Sequence, residues 1–315
     1  MFSLVAAAAL GPLTYGFGPG AAFEYELDAS FTGFIPILGG QEGTARVVLG
    51  VSVLGEKSKE AELNQATSEI TTAKLYFNDA QLPISKENVT SFFPKTTINL
   101  TPAGEIKKTN APDTKPDVTL PGLDVKRFPD ITYVPLVFPA GELKVGESWK
   151  FVKAFGGSDI KYECVVRSST PLTADIGVKI EQDLTIFEDE GLRVVPEKDG
   201  VRTVKTHMTG DGTLVFDQKL KVFRTVLIKA KSVSTVTDLK TKEVTERKLD
   251  NEFKCTLKSP AWKTEVKQAS TGWWESALGF ARDTSIEAYS RAKGYALVAR
   301  EGIASLLRML LGGQA

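Results

Sequence analysis

The sequence is poor in the residues that enzymes use for catalysis and metal binding. Among 315 residues there are one histidine, His207, and two cysteines, Cys164 and Cys255. A serine or cysteine nucleophile needs a base to activate it, and His207 is the only imidazole in the chain. The patterns G-x-S-x-G, H-E-x-x-H and C-x-x-C do not occur, nor does a phosphate-binding glycine loop. We therefore predict no catalytic residue, no metal ligand set and no cofactor.

The chain also lacks an excess of charge of either sign. The 39 lysine and arginine residues are balanced by 39 aspartate and glutamate residues. A protein that binds nucleic acid through its phosphates carries an excess of basic residues, so we expect no nucleic-acid partner. Hydrophobic residues make up 42% of the chain, which is enough for a large core.

The two cysteines fall on the apolar faces of predicted strands. Cys164 alternates in phase with Ile160 and Tyr162, and Cys255 in phase with Leu249 and Phe253. Both thiols are therefore expected to point inward. Two interpretations stay open: a disulfide formed in an oxidising compartment, and two buried free thiols that behave as small hydrophobic side chains.

The first residues indicate where the protein works. Phe2 to Leu10 is apolar and rich in alanine, and the small triplet Gly20-Ala21-Ala22 follows a stretch with glycine and proline. This order predicts a secretory signal peptide over residues 1–22 and an exported protein of the periplasm or cell surface. No lysine or arginine precedes Arg46, so the usual basic region is missing. The alternative is a buried N-terminal segment that is never cleaved.

Most of the remaining chain alternates between apolar and polar residues, as antiparallel strands with one wet face do. One example is the run from Ala45 to Val53. The last long pair, 220–239 and 243–257, predicts a hairpin. Glycine-containing turn signals separate the runs. They are Gly39-Gly40, Gly156-Gly157, Asp199-Gly200 and Gly210-Asp211-Gly212.

A proline-rich connection at 112–139 divides this region into an N-terminal β unit, 23–111, and a C-terminal β unit, 140–260. Similar strand–turn–strand stretches at 97–106 and 213–222 suggest that the units are related. We predict a mainly β fold of curved antiparallel sheets in two related units.

The hydrophobic period becomes helical near the C-terminus and predicts an amphipathic helix over 271–312. Three packing partners are open for the apolar face of this helix: its own sheet, a protein partner or second copy of the chain, and a membrane surface. The residues predicted to form a docking face are Trp274, Leu278, Tyr289, Ile303, Leu307 and Leu310.

Two short motifs resemble segments of uncharacterised exported bacterial β-rich proteins and lipoproteins. One is Val145-Gly146-Glu147-Ser148-Trp149, and the other is the Gly-x-Gly-x-x-x-Phe-Asp run that ends at Asp217. The resemblance implies a periplasmic or cell-surface protein with curved antiparallel sheets, somewhat like lipoprotein carriers. It supplies no catalytic residues, and the chain has no cysteine near the signal end to carry a lipid.

These observations favour a non-enzymatic cell-envelope protein for binding or assembly. It would hold an apolar small molecule in a curved sheet, or dock a partner through its C-terminal helix. The alternative for the inner face is that its own side chains and the helix fill it. The competing hypothesis is a secreted hydrolase acting on glycans with a pair of carboxylates, because that chemistry leaves no local sequence signature.

Overall fold

The structure is a computed structural model that describes residues 11–35, 40–83, 94–110, 128–155 and 158–262. The chain divides into two compact units, 1–262 and 263–315, and the second lies outside the described residues. The first unit contains a short helix α1 (Phe128–Ile131), a 3₁₀ turn (Glu197–Asp199) and strands. The strands are β1 (Ala21–Ile35), β2 (Gln41–Glu56), β3 (Asn64–Phe77), β4 (Ala80–Leu82), β5 (Thr96–Leu100), β6 (Ile106–Asn110), β7 (Ser148–Phe155), β8 (Ser158–Ser169), β9 (Thr173–Glu188), β10 (Val194–Val195), β11 (Arg202–Asp217), β12 (Val222–Asp238) and β13 (Val244–Trp262).

All of these strands belong to one antiparallel sheet. The order is β6-β5-β3-β2-β1-β13-β12-β11-β9-β8-β7, with β4 paired to β3 and β10 paired to β9. The first long strand, β1, is hydrogen-bonded to both β2 and β13. The strands of the two predicted β units are therefore joined in one sheet through the β1–β13 pair.

The alternation that predicted the strands is confirmed by their burial. On β9, Ile176 and Val178 are buried, whereas Lys179 and Glu181 are exposed. The predicted hairpin is also confirmed as β12 and β13, which pair from Val244 onward. We call the buried side of the sheet the inner face and the charged side the outer face.

One predicted turn is wrong. Gly210-Asp211-Gly212 lies in the middle of β11 instead of between strands. A Cβ atom added to Gly210 would lie 2.6 Å from the carbonyl oxygen of Lys229 and 2.9 Å from Cγ1 of Ile180. Glycine is therefore required because neighbouring strands approach closely here, not because the chain turns.

Residues 13–20, the N-terminal strap, cross the inner face. Within the strap, Leu13, Tyr15 and Phe17 are buried. The amide of Tyr15 donates to the carbonyl of Pro102 at 2.8 Å, and the amide of Gly16 donates to the carbonyl of Lys221, also at 2.8 Å.

These two hydrogen bonds show that the sheet is curled. Pro102 lies in the turn between β5 and β6, and Lys221 lies in the turn between β11 and β12. In a flat sheet β5 and β12 would lie about 24 Å apart, at about 4.8 Å for each step between neighbouring strands. Both turns nevertheless bind adjacent residues of one strap. The sheet therefore curves between these two turns.

A second segment, residues 132–143, which we call the central strap, covers the same end of the inner face. Phe138 donates its amide to the carbonyl of Ala103 at 2.8 Å, and Trp149 on β7 donates Nε1 to the carbonyl of Val137 at 2.9 Å. The central strap thus connects the β5–β6 turn with the edge strand β7. Its buried side chains are Thr132, Tyr133, Val134, Pro135, Leu136, Phe138 and Leu143.

The position of the N-terminal strap bears on the predicted signal peptide, 1–22. Cleavage near Gly20 would remove Leu13, Tyr15 and Phe17 from the core. The sequence left a second interpretation open, a buried N-terminal segment that is never cleaved. The burial of Leu13, Tyr15 and Phe17 is the burial expected for such a segment.

Several predictions fall on residues that the structure does not describe. They are the start of the proline-rich connection, 112–127, and the amphipathic helix 271–312 with Trp274, Leu278, Tyr289, Ile303, Leu307 and Leu310. Among the described residues, no helix has the length and hydropathy needed to cross a bilayer.

The two straps are joined by the hydroxyl of Tyr15, which donates to the carbonyl of Leu136 at 2.8 Å and accepts from the Leu136 amide at 3.3 Å. We expect Tyr15→Phe to lower the free energy of unfolding by about 1–3 kcal/mol, because it leaves these buried backbone groups unpaired. Urea unfolding measures the change. Tyr76→Phe, on a partly exposed ring, is the control and should change stability by less than about 0.5 kcal/mol. Equal effects of the two substitutions would contradict the role assigned to Tyr15.

Candidate ligand-binding face

The strap end of the inner face is filled by packed aromatic rings. The centroid of Phe138 lies 5.1 Å from that of Phe216, and the centroid of Phe216 lies 5.1 Å from that of Phe223. Such edge-to-face pairs add to the stability that burial gives. The straps and these rings together close this end of the curled sheet. The other rings of the cluster are Tyr15, Phe17, Phe23, Tyr25, Tyr133 and Trp149.

A buried ion pair lies near the opposite end. Nη1 of Arg247 on β13 lies 2.9 Å and 2.8 Å from the two carboxylate oxygens of Glu188, at the end of β9. The side chains are 13% and 4% exposed. Two strands, β12 and β11, separate β13 from β9 in the sheet, so the pair reaches across both of them. Arg247 also stacks on Phe34, with its guanidinium carbon 4.3 Å from the ring centroid.

The loops at this end also meet. A Cβ atom on Gly40, just before β2, would lie 2.8 Å from Cδ1 of Leu192 and 2.9 Å from Cζ of Phe34. Leu192 belongs to the loop between β9 and β10, on the far side of the sheet order from β2. The ion pair and these loops therefore close the end of the inner face that lies away from the straps.

Between the two ends, the inner face is mainly apolar. Side chains that are neighbours across the strands form a continuous row, and the row contains no ionisable group other than one thiol. The side chains of this row are 0–8% exposed. The row consists of Cys164, Val178, Gly212, Ile228, Phe253 and Ala29.

Two polar side chains interrupt the apolar surface beside this row. Ser232 on β12 and Asn251 on β13 are each 4% exposed. Oγ of Ser232 and Oδ1 of Asn251 have no hydrogen-bond partner within the part of the chain that the structure describes. Buried polar atoms are nearly always hydrogen-bonded in native proteins, so each such atom requires an explanation. The hydroxyl of Tyr25, nearer the straps, shares this property.

The two cysteines both lie on the inner face and are free thiols. Three strands, β9, β11 and β12, separate Cys164 on β8 from Cys255 on β13. A disulfide needs Cα atoms within about 7 Å of each other, whereas neighbouring strands alone are about 4.8 Å apart. The sequence left a disulfide and two buried free thiols as alternatives, and in the structure both cysteines are buried free thiols.

His207 lies on the outer face, as its alternation with Lys205 predicted. Its Nδ1 atom is 2.8 Å from Oδ1 of Asp183, which is directly opposite on β9. One ligand atom from each of Glu181, Asp183 and His207 lies within 4.8 Å of the others. All three side chains are exposed, and Nζ of Lys161 lies 3.9 Å from Glu181. This arrangement has the features of a solvated network of surface charges.

Three carboxylate side chains among the described residues are buried, and each is paired with a basic side chain, whereas Oδ1 of the partly buried Asp175 has no hydrogen-bond partner there. Asp130 accepts from Lys153 at 2.7 Å, and Glu188 is paired with Arg247 as described above. The third, Asp217, accepts from Arg224 at 2.6 Å. Burial acts to raise the pKa of Asp217, but hydrogen bonds from the Leu220 amide and Arg224 outweigh it and lower the pKa below its ordinary value. A glycan hydrolase instead needs a carboxyl group with a raised pKa facing a second carboxylate.

Comparison with known proteins gives no family for the chain. No family model and no curated protein matches the sequence. A solved structure titled "Lipid-protein interactions in lipovitellin" is similar at 12% identity and a TM-score of 0.45, over 81% of this chain and 27% of that chain. The structure of DynF from the dynemicin biosynthesis pathway of Micromonospora chersina is similar at 10% identity and a TM-score of 0.20, over 80% and 86%. Both TM-scores are too low to establish a common fold. The chain spans about a quarter of the length of the lipovitellin chain.

Sequence reasoning missed Ser232, Asn251 and the Arg247–Glu188 pair. For Asn251 a signal was present, because it lies in phase with Leu249 and Phe253 on an otherwise apolar face. A polar residue at an inward position is unusual and marks a site to examine. No comparable signal existed for the ion pair, which joins residues far apart in the sequence.

The burial of the thiols predicts their reactivity. Burial raises the pKa of Cys164 to about 12 and that of Cys255 to about 12. We expect neither thiol to react with a disulfide reagent in the native protein at about pH 8, because the thiolate is the reactive form. Both should react after unfolding in guanidinium chloride, where the pKa returns to about 8.5. Thiol titration makes this measurement. Thr185→Cys, which places a thiol on the exposed face of β9, is the control and should react without denaturant.

The same shifts give the direction of a pH effect. The neutral thiols contribute their full stability below the unfolded pKa of about 8.5, and this contribution is lost as the pH rises toward the folded value. Unfolding of the wild type should therefore become easier above about pH 9 by more than in a Cys164→Ala/Cys255→Ala variant. Rapid reaction of a native thiol, or identical alkaline behaviour of the two proteins, would contradict the assigned burial.

Proposed function

We propose that this protein is a non-enzymatic, exported cell-envelope protein that binds an apolar ligand on the inner face of its curled sheet. The observation that carries the proposal is the enclosure of the apolar inner face at both ends. The straps close one end, and the Arg247–Glu188 pair and the loops around Gly40 and Leu192 close the other. A ligand held between these ends would be removed from water along its length.

Burial of an alkyl chain would contribute favourable free energy to binding. Each methylene group moved from water into apolar surroundings contributes about 0.8 kcal/mol, so about ten methylenes contribute about 8 kcal/mol. This corresponds to a dissociation constant of about 1 μM before the cost of restricting the ligand. A longer unbranched alkyl chain contributes more of this free energy and needs no charged contact to do so.

Export is part of the proposal. Because Leu13, Tyr15 and Phe17 belong to the core, any leader removed during export would end before Leu13 and leave the N-terminal strap in place. N-terminal sequencing of the exported chain would show where it begins.

The binding proposal is tested by filling the middle of the inner face. Ala230 is 3% exposed and lies opposite Asn251, so Ala230→Leu places a larger side chain where the ligand would lie. We expect the variant to bind the fluorescent apolar probe N-phenylnaphthylamine at least about tenfold more weakly, because overlap with a packed side chain excludes the ligand. Fluorescence titration makes the measurement, and urea unfolding checks that the variant is folded.

The matched control is Lys231→Leu, the next residue of β12, whose side chain is exposed on the outer face. It adds the same side chain on the opposite side of the sheet and should leave probe binding unchanged. The proposal would be abandoned if the wild type did not bind the probe, or if both variants bound it as tightly as the wild type.

A further inference from the structure

We infer that the ligand is an uncharged amphiphile with a hydroxyl group, and that Ser232 and Asn251 bind this group. The inference rests on the proposed function, since it assigns the chemical class of the ligand to the same face. It starts from the two buried side-chain oxygens that have no hydrogen-bond partner among the described residues, Oγ of Ser232 and Oδ1 of Asn251.

The strand register places these two residues together. Asn251 lies opposite Ala230, and Ser232 lies opposite Leu249. They are therefore diagonal neighbours on the same face of the β12–β13 pair, close enough to contact one small group. Both side chains are buried among apolar residues. Placing a water molecule there as the missing hydrogen-bond partner would cost free energy, because water is poorly solvated in apolar surroundings.

The surroundings of the pair define the chemistry of its partner. Asn251 Oδ1 accepts hydrogen bonds only, so its partner must be a donor. The Ser232 hydroxyl both donates and accepts. One hydroxyl group on the ligand satisfies both residues, because it donates to Asn251 and accepts from Ser232. An ether or an ester offers acceptors only and leaves Asn251 unpaired.

A charged group does not fit this position. The nearest buried charges along β13 belong to Arg247 and its partner Glu188, which neutralise each other through two short contacts. No described side chain next to Ser232 and Asn251 on the inner face carries a free charge: their neighbours in register are Ala230, Leu249, Met208 and Phe31. A carboxylate would lose its hydration without gaining a counter-ion. A long-chain alcohol or a monoacylglycerol has the required character, whereas an ionised fatty acid does not.

The test compares three ligands with the same alkyl chain: a primary alcohol, its methyl ether and the ionised fatty acid at about pH 8. Their dissociation constants are measured by displacement of N-phenylnaphthylamine from the full-length protein. We expect the alcohol to bind about tenfold more tightly than the ether and the acid, because only the alcohol pairs the buried oxygens.

In the Ser232→Ala/Asn251→Leu variant this preference should fall to within about twofold. The free variant should unfold at the same or a higher urea concentration, since it no longer buries unpaired polar atoms. Thr235→Ala, on the exposed face of β12, is the control and should keep the full preference for the alcohol.

The outcomes separate the two proposals. If all three ligands bind the wild type equally, or if the double variant keeps the preference, the hydroxyl assignment is overturned while apolar binding stands. If neither the probe nor any of the ligands binds the wild type, both proposals fail.

Discussion

The pairing of β1 with β13 is the constraint on which the rest of the structure depends. It joins the first long strand of the described chain to the last, so the strands between them form one continuous sheet. Closing a loop of this length costs conformational entropy. The hydrogen bonds and the apolar burial of two long strands offset that cost. Contacts of such high sequence separation also slow folding, so we expect this pair to form late.

Once the sheet is continuous and curled, the straps follow from the need to cover its inner face. Tyr15 and Gly16 are held by Pro102 and Lys221, whose turns belong to different halves of the sheet. These turns lie in 97–106 and 213–222, the two stretches whose similarity suggested related units. Both stretches form a strand, a turn and the start of the next strand. The two turns thus bind neighbouring residues of one strap, which connects them across the inner face.

The alternation of apolar and charged residues was enough to predict the strands, the inward thiols and the last hairpin. It failed at Gly210 and Gly212, because their role depends on side chains from β9 and β12 that are distant in sequence. It also could not place Leu13 and Phe17, because a short apolar segment has the same composition in a leader and in a core. The Arg247–Glu188 pair and the unpartnered Ser232 and Asn251 depend on register across several strands, which local patterns do not contain.

The inner face is not built for maximum stability alone. An aliphatic residue at position 232 or 251 would avoid burying a polar atom without a partner, at a saving of about 1–3 kcal/mol each. The Arg247–Glu188 pair carries a similar cost, since well-packed apolar residues often replace a buried ion pair without loss. Proteins retain such destabilising groups where function requires them. The ion pair closes one end of the apolar face, and the two unpaired oxygens lie beside the row of small and branched side chains that runs across its middle. The hydroxyl group of the proposed ligand would pair these two oxygens, while its apolar chain would lie along the row.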